Sequence, residues 1–478
     1  MSLRRCTSPA GLPGIGLALG ALTLAGGACG GRTAGPEAQD GSVDAAMDAR
    51  PGEDAGPTCG NGRKEAGEAC DGADVGDASC QGLGFHLGEL ACTAGCAFDT
   101  TGCTTCGDGQ CQGEETWANC PADCPGVSGM TTAWGHSCAR LISGEVRCWG
   151  FNEHGQLGTG YTSEKEPAPV LALVQDVAEL TGYCNCHTCA RLEMGGVSCW
   201  GWNDFGELGP AAPMGGSIVT PLGVPGLDEA VSVSAGACFT CAVLSDGTAR
   251  CFGDNSMGQL GGGTMGGFTA DLVSVSGLSD GLSIAAGTSH VCALRQGGTV
   301  SCWGANDHGK LGDGSTIDRL SPVPVAFTGV AVQVTAGGMH ACLLDDQGDV
   351  FCWGANARGQ LGDGPSDDMT TPQRVVTLGE VASIEAGDEH TCAVTMAGTA
   401  FCWGANDQGQ LGDGTSTDRA DPVRIGGLEP VHGVTAAQTH SCAWLADGSA
   451  WCWGRNFGKL GDGSLGERSL VPVRVRGL

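Results

Sequence analysis

Cations are scarce in this chain: 23 lysines and arginines stand against 53 acidic residues, a formal net charge of −30. The deficit is not confined to one end, since residues 126–478 carry 17 basic and 36 acidic side chains, a net of −19. Phosphate backbones need clustered cations, so nucleic acid is disfavoured as a partner. Long apolar runs are also missing, and outside the first 28 residues nothing approaches the roughly 18 consecutive apolar residues of a membrane-spanning helix. No stretch of helical period is long enough to supply a crossover, and there is no strand-to-helix nucleophile elbow, no Gly-x-x-x-x-Gly-Lys-Ser/Thr phosphate loop and no His-Glu-x-x-His zinc helix. These absences argue against catalysis, and no catalytic, cofactor-binding or metal-ligating residue is assigned.

What the chain has in quantity is glycine and cysteine, 86 and 29 residues. Seven times two cysteines fall ten positions apart: Cys138 and Cys148, Cys189 and Cys199, Cys241 and Cys251, Cys292 and Cys302, Cys342 and Cys352, Cys392 and Cys402, Cys442 and Cys452. Their first members advance by 50 to 52 residues, a period that marks a repeat architecture. Between the two cysteines an antiparallel hairpin centres on a three-residue loop whose last position favours a left-handed residue. Glycine stands there in every unit: Gly144, Gly195, Gly247, Gly298, Gly348, Gly398 and Gly448. The turn therefore sets each cysteine opposite its mate on one face, at disulfide distance.

The rest of each unit reads as β structure. After the second cysteine comes a Gly/Asn-rich loop ending in a motif such as Gly155-Gln-Leu-Gly, then a strand such as Pro472-Val-Arg-Val, then an apolar strand such as Val381-Ala-Ser-Ile. Four short strands per period match one propeller blade, so the fold class is all-β, a seven-bladed β-propeller over residues 129–478. The last unit lacks the strand that introduces the next His-x-Cys, and Met130-Thr-Thr-Ala-Trp-Gly-His136 supplies one at the other end. The two termini are thus expected to complete one blade and remove free sheet edges.

Units such as His390-Thr-Cys-Ala and Phe401-Cys-Trp-Gly-Ala-Asn-Asp-Gln-Gly-Gln-Leu-Gly-Asp-Gly resemble the repeats of the regulator of chromosome condensation family, in particular its bacterial, α-tubulin-suppressor-like members. The resemblance covers residues 129–478 and implies a seven-bladed propeller. It also brings in guanine-nucleotide exchange, which in the family needs a protruding β-wedge and an intracellular GTPase; units spaced at 50 to 52 leave no room for a large insertion. A fold hosts many functions, so activity must come from the site.

The third unit departs from the pattern at two places. Phe239 replaces the histidine found as His136, His187, His290, His340, His390 and His440, and Phe252 replaces the tryptophan found as Trp149, Trp200, Trp303, Trp353, Trp403 and Trp453. The joint change suggests that the two positions pack on one another and that the histidine is structural. Cys184, Cys186 and Cys238 lie outside the pairing scheme, with one bridge between adjacent blades expected among them.

The N-terminus indicates export. Residues 1–28 carry Arg4 and Arg5, an apolar stretch, and small residues before Cys29, as in a signal peptide, and Cys29 resembles the lipidated cysteine of bacterial lipoproteins. Residues 29–58 read as an acidic, disordered tether. Residues 59–125 hold ten cysteines with few large apolar residues, an N-terminal disulfide-rich module similar to those of myxobacterial surface proteins. Acidic turns there and the repeated Leu-Gly-Asp-Gly raise calcium, though turn chemistry alone accounts for them.

The expected function is that of an exported, surface-anchored module recognising an extracellular protein or polysaccharide, touching the membrane only through a lipid anchor. A secreted inhibitor of an extracellular enzyme is the alternative; an exchange factor or a hydrolase ranks below both. Residues 161–167, 210–220, 262–272 and 366–371 differ most between units and form the expected binding rim. Peptide mapping of the non-reduced protein should recover all seven ten-residue pairs as linked peptides, and removing one pair should cost about 2.5 to 3 kcal/mol in denaturant unfolding.

Overall fold

The computed structural model describes residues 126–478, apart from 185, 186, 365 and 366, and parts of 64–104 together with Cys120. The leader, the tether, Cys29, Cys59, Cys106, Cys111, Cys124, Cys186 and Ser366 lie outside the described residues. Two compact units are present. In the smaller, Cys70 is bonded to Cys92, and Ala91–Cys92 pairs with Phe98–Asp99. The larger takes Ala78–Leu90 and Thr100–Leu478, with Cys80 bonded to Cys103 near its start.

Seven four-stranded antiparallel sheets make up the rest. Blade one consists of Val127–Thr132, His136–Leu141, Val146–Asn152 and Ser163–Leu171; blade seven of Val431–Ala436, His440–Leu445, Ala450–Arg455 and Arg468–Arg474. The first strands of all seven blades line one central tunnel, and the fourth strands lie outermost. Among the described residues the helical turns are two 3-10 turns, Gln81–Leu83 and Asp307–Gly309.

Every blade is made of strands consecutive in sequence, so the termini do not share one. The repeat can be cut at any phase on paper; hydrogen bonding puts the cut before the first strand, and Val127–Thr132 pairs with His136–Leu141. The ring closes by packing of blade seven on blade one and by Val127 N–H donating to Gly448 O at 2.9 Å.

Inside the blades the hairpin register is as expected, and each pair of cysteines stands directly opposite with its sulfurs bonded. Cys138 is joined to Cys148 in blade one, Cys189 to Cys199 in blade two, Cys241 to Cys251 in blade three and Cys292 to Cys302 in blade four. Cys342 is joined to Cys352 in blade five, Cys392 to Cys402 in blade six and Cys442 to Cys452 in blade seven. Their Cα atoms lie 4.0 to 4.1 Å apart. Each second cysteine belongs to the third strand of its blade and is fully buried, so the bridge is an interior staple and not a reactive site. The loop glycines have φ between 77° and 91°. A Cβ at Gly195 would also lie 2.8 Å from Asp228 O, so space and conformation both demand glycine.

Blades are joined by a repeated relay whose hub is the carbonyl of the variable residue in Gly-x-Leu-Gly. Gln360 O accepts the indole N–H of Trp403 at 3.0 Å and the hydroxyl of Thr391 at 2.9 Å, both from the next blade. Thr391 in turn accepts from His340 Nε2 of the earlier blade at 2.8 Å. The same histidine-to-hydroxyl bond links His136 to Thr188, His187 to Thr240, His390 to Ser441 and, across the ring closure, His440 to Ser137. Burial drives the pKa values of His136 and His390 down to about 3 and those of His187 and His340 to about 4, so these rings are neutral donors. The six tryptophans are fully buried. Each covers on the order of 200 Å², worth at most about 5 kcal/mol.

The relay corrects the expectation about Phe239 and Phe252. They do not exchange contacts to explain their joint change: Phe239 packs in the cluster that contains Trp303 of blade four, whereas Phe252 packs with Leu208 of blade two. What accompanies Phe239 is Val291, standing where five of the other six blades carry Thr or Ser; both polar partners are gone together, which costs little. His290 is the exception, since it faces Ala341, and neither ring nitrogen has a partner.

The variable residue has a second task. Side chains of Gln156, Gln259, Gln360 and Gln410 accept the backbone N–H two residues earlier at 2.8 to 3.0 Å. Lysine cannot, and in the two units with Lys310 and Lys459 the residue two before turns to positive φ, His308 at 64° and Phe457 at 53°. Glu207 does accept, from Phe205, but its other oxygen is buried without a partner and burial pushes its pKa up to about 8.

The interface makes stability testable at three positions. Ser441→Ala should orphan His390 Nε2 and cost about 1–3 kcal/mol, while Ala341→Ser should give His290 its missing acceptor and gain about 1 kcal/mol, both read as denaturant midpoints. For Glu207 the folded pKa lies above the unfolded one, so its stabilisation is complete below about pH 4.5 and is lost as pH rises through 8. Glu207→Gln should therefore stabilise by about 1–3 kcal/mol at pH 9 and change little at pH 4, in thermal unfolding at both values.

Candidate functional site

In an antiparallel blade, the turn between the first two strands and the loop between the last two emerge on the same face. The four variable stretches all lie at the loop between third and fourth strands or at the start of the fourth, on blades one, two, three and five. The structure brings the first three together and sets residues 367–371 apart, beyond blade four. On blades one to three the loops carry large exposed side chains: Tyr161, Met214, Met257, Met265 and Phe268 are 39 to 57% exposed. Ring contacts at this surface bridge neighbouring blades. His154 stacks on Trp202 with centroids 4.5 Å apart, and Phe205 meets Phe268 edge-on at 5.7 Å.

Blades four to six present a different chemistry. Asp313 accepts from the backbone and hydroxyl of Ser315 and pairs with Arg319; Asp413 does the same with Thr415 and Arg419. These contacts, with Asn406 on Asp413, hold both carboxyls below their usual pKa range despite burial. Leu-Gly-Asp-Gly is thus a loop staple made of protein groups. Between blades, Arg358 pairs with Asp407 at 3.2 Å and Asp418 at 2.7 Å, and His308 Nδ1 lies 2.5 Å from Asp368.

The central tunnel is a feature that the repeat pattern alone does not reveal. Its cavity, about 240 Å³, is lined by seven first strands together with Trp134, Tyr183 and Trp444. At the loop face Tyr183 of blade two reaches across the mouth: its hydroxyl lies 3.1 Å from both Thr288 Oγ1 of blade four and Asp388 Oδ1 of blade six. Gln438 of blade seven donates to the other oxygen of Asp388 at 3.2 Å. Burial raises the pKa of Asp388 and, with Asp388 alongside, raises that of Tyr183 well above the phenol range. Inside, Glu179 pairs with Arg191 at 3.1 Å. Glu385 has no such cation among the described residues, and burial pushes its pKa up to about 8. Sequence clues existed: Tyr183 is one of two tyrosines, and Glu385 is the one charged residue at the position facing the first cysteine of each hairpin.

Other candidates resolve simply. Cys184 and Cys238 are buried and disulfide-bonded, so neither offers a thiolate to a metal. Glu68, Asp71 and Cys96 in the smaller unit place ligand atoms within 4.8 Å, but Cys96 is also in a disulfide. The string Gly277-Leu-Ser-Asp-Gly281 joins blades three and four with exposed Ser279 at a strand end and no helix after it, so it is not a nucleophile elbow.

Comparison with known proteins fits this architecture. Residues 175–478 match the RCC1-like domain, and residues 134–156 match the regulator of chromosome condensation (RCC1) repeat. The ultraviolet-B receptor UVR8 of Arabidopsis thaliana is 32% identical over 197 residues, 40% of this chain and 44% of the receptor. The human E3 ubiquitin-protein ligase HERC2 is 31% identical over 195 residues, again 40% of this chain but 4% of the ligase. The chain thus spans less than half the length of these curated relatives. Among solved structures, Prp20p from Saccharomyces cerevisiae superposes with a TM-score of 0.62 at 23% identity, over 69% of this chain and 85% of that one. The seven cysteine-stapled blades and the family match agree, and the chain belongs to the RCC1-like domain family.

Proposed function

We propose that this chain is an exported, surface-anchored recognition module that binds a protein through the loop face of blades one to three. An RCC1-like propeller is a fold suited to protein recognition, and Prp20p, with the same fold, was characterised with its binding to Gsp1p and histones. The observation that carries the reading is the run of exposed Tyr161, Met214, Met257, Met265 and Phe268 on adjacent blades, braced by the ring contacts of His154 with Trp202 and of Phe205 with Phe268. Aromatic and methionine side chains on a rigid frame are what the centres of protein interfaces use, and their ordering costs little entropy there.

Export is supported by the signal-like leader and by seven bonded cysteine pairs, which persist in oxidising compartments. Anchoring rests on Cys29, and polysaccharide is the second ligand class within the same reading. Nucleotide exchange, which the likeness to Prp20p brings in, finds less support: a GTPase partner would be intracellular, away from an exported chain.

Met265→Asp combined with Phe268→Asp places charge at the centre of this surface, distant from the relay. The full-length variant should fold with an unchanged thermal midpoint yet lose the envelope proteins that wild type captures; equal capture by both would refute the assignment of this face. Cys29→Ala should abolish palmitate incorporation, and undiminished labelling would remove the anchor.

A further inference from the structure

The first strand of every blade has an edge with no strand beyond it, and the N–H groups there need acceptors. Hydroxyls of neighbouring blades supply them. Thr181, Ser234 and Thr335 accept from the N–H groups of Ala235, Ala286 and Ala386 at 2.9, 3.0 and 3.1 Å. Thr435 and Thr132 bond each other at 3.0 Å across the ring closure. Thr181, Ser234, Thr335 and Thr435 each stand opposite the first cysteine of a hairpin, and so does Glu385 in blade six.

Two blades break this series, blade four with Ala285 and blade six with Glu385, and Glu385 alone brings a charge. Its carboxyl has no hydrogen-bond or ionic partner among the described residues, and burial alone accounts for its raised pKa. Glu179, also on the tunnel wall, is already balanced by Arg191 and accepts the Val233 N–H at 3.3 Å. Among the described residues no lysine or arginine lines the cavity, whereas Trp134 and Trp444 do. The indole N–H of Trp134 is buried there without a partner. A carboxyl without a cation, in a cavity of about 240 Å³ that two indoles also line, is complementary to a small cation that also favours aromatic faces. A calcium ion would need six to eight oxygens, and the hydroxyls at this level are committed to backbone N–H groups.

We propose that the tunnel is a binding site for a small organic ammonium ion, held by the Glu385 carboxylate and the indoles of Trp134 and Trp444, beneath the mouth closed by Tyr183 and Asp388. The site is separate from the loop surface of blades one to three and does not depend on the assignment of that surface.

Choline is the probe. Titration of the full chain by calorimetry, with ionic strength matched by sodium chloride, should show one saturable site and a change in tryptophan fluorescence. Glu385→Thr installs the hydroxyl that neighbouring blades carry, so it should retain or raise the unfolding midpoint while weakening choline binding at least about tenfold; Glu385→Gln should weaken it alike. Choline keeps its charge throughout, so wild-type affinity should rise between pH 7 and pH 9 as Glu385 ionises, and the rise should vanish in Glu385→Gln. The other acids facing the tunnel are Glu179, paired with Arg191, and Asp388, bonded to Tyr183 and Gln438, and both remain in the variants. Absence of saturation up to about 50 mM, or unchanged affinity in both variants, would overturn the site.

Discussion

One carbonyl oxygen per blade organises this molecule. In Gly-x-Leu-Gly the peptide oxygen of the variable residue receives the indole N–H of the following blade at six interfaces, and at five a hydroxyl, itself held by the preceding blade's histidine. The donors are buried, so their alternative to these bonds is an unsatisfied group, not water. That asymmetry fixes how blades dock. It also explains the glycines, because a Cβ on Gly412 would sit 2.9 Å from the Trp453 ring. The hairpin disulfides act within blades and the relay acts between them, and the two devices are complementary.

With blades held this way, the side chains of the variable loops are free to differ, while their backbone still bonds across blades, Gly263 N–H to Leu320 O and Gly160 N–H to Val219 O, both at 2.9 Å. The loops after the third strands bear methionine and aromatic side chains on blades one to three and stapled aspartates on blades four to six. A ring of near-identical units thereby presents two unlike sectors on one face. The tunnel is a third surface, set by which side chain faces the first cysteine in each blade, and a single change from hydroxyl to carboxyl at Glu385 alters its chemistry without disturbing the frame.

Much of this was legible beforehand because it is local. The three-residue hairpin loop, its left-handed glycine and the opposed cysteines, Cys342 and Cys352 for example, depend on neighbours within eleven residues, so turn chemistry and the period of two decide them. The loop stretches could be singled out by comparing units along the chain. The histidine and tryptophan were harder. They lie in one unit in the sequence but serve opposite neighbours in space, so the joint change to Phe239 and Phe252 suggested a contact that the structure divides between two interfaces.

The sequence by itself determined the number of blades, the strand register within each and the covalent staple, since period, turn type and cysteine spacing are properties of short segments. Tertiary structure alone decided where the ring is cut, which blades the relay omits, and that Glu179, Tyr183, Glu385 and Asp388, scattered over some 200 positions, meet in one tunnel. Those facts require the ring to close, and closure relates residues whose distance apart along the chain carries no information about their distance in space.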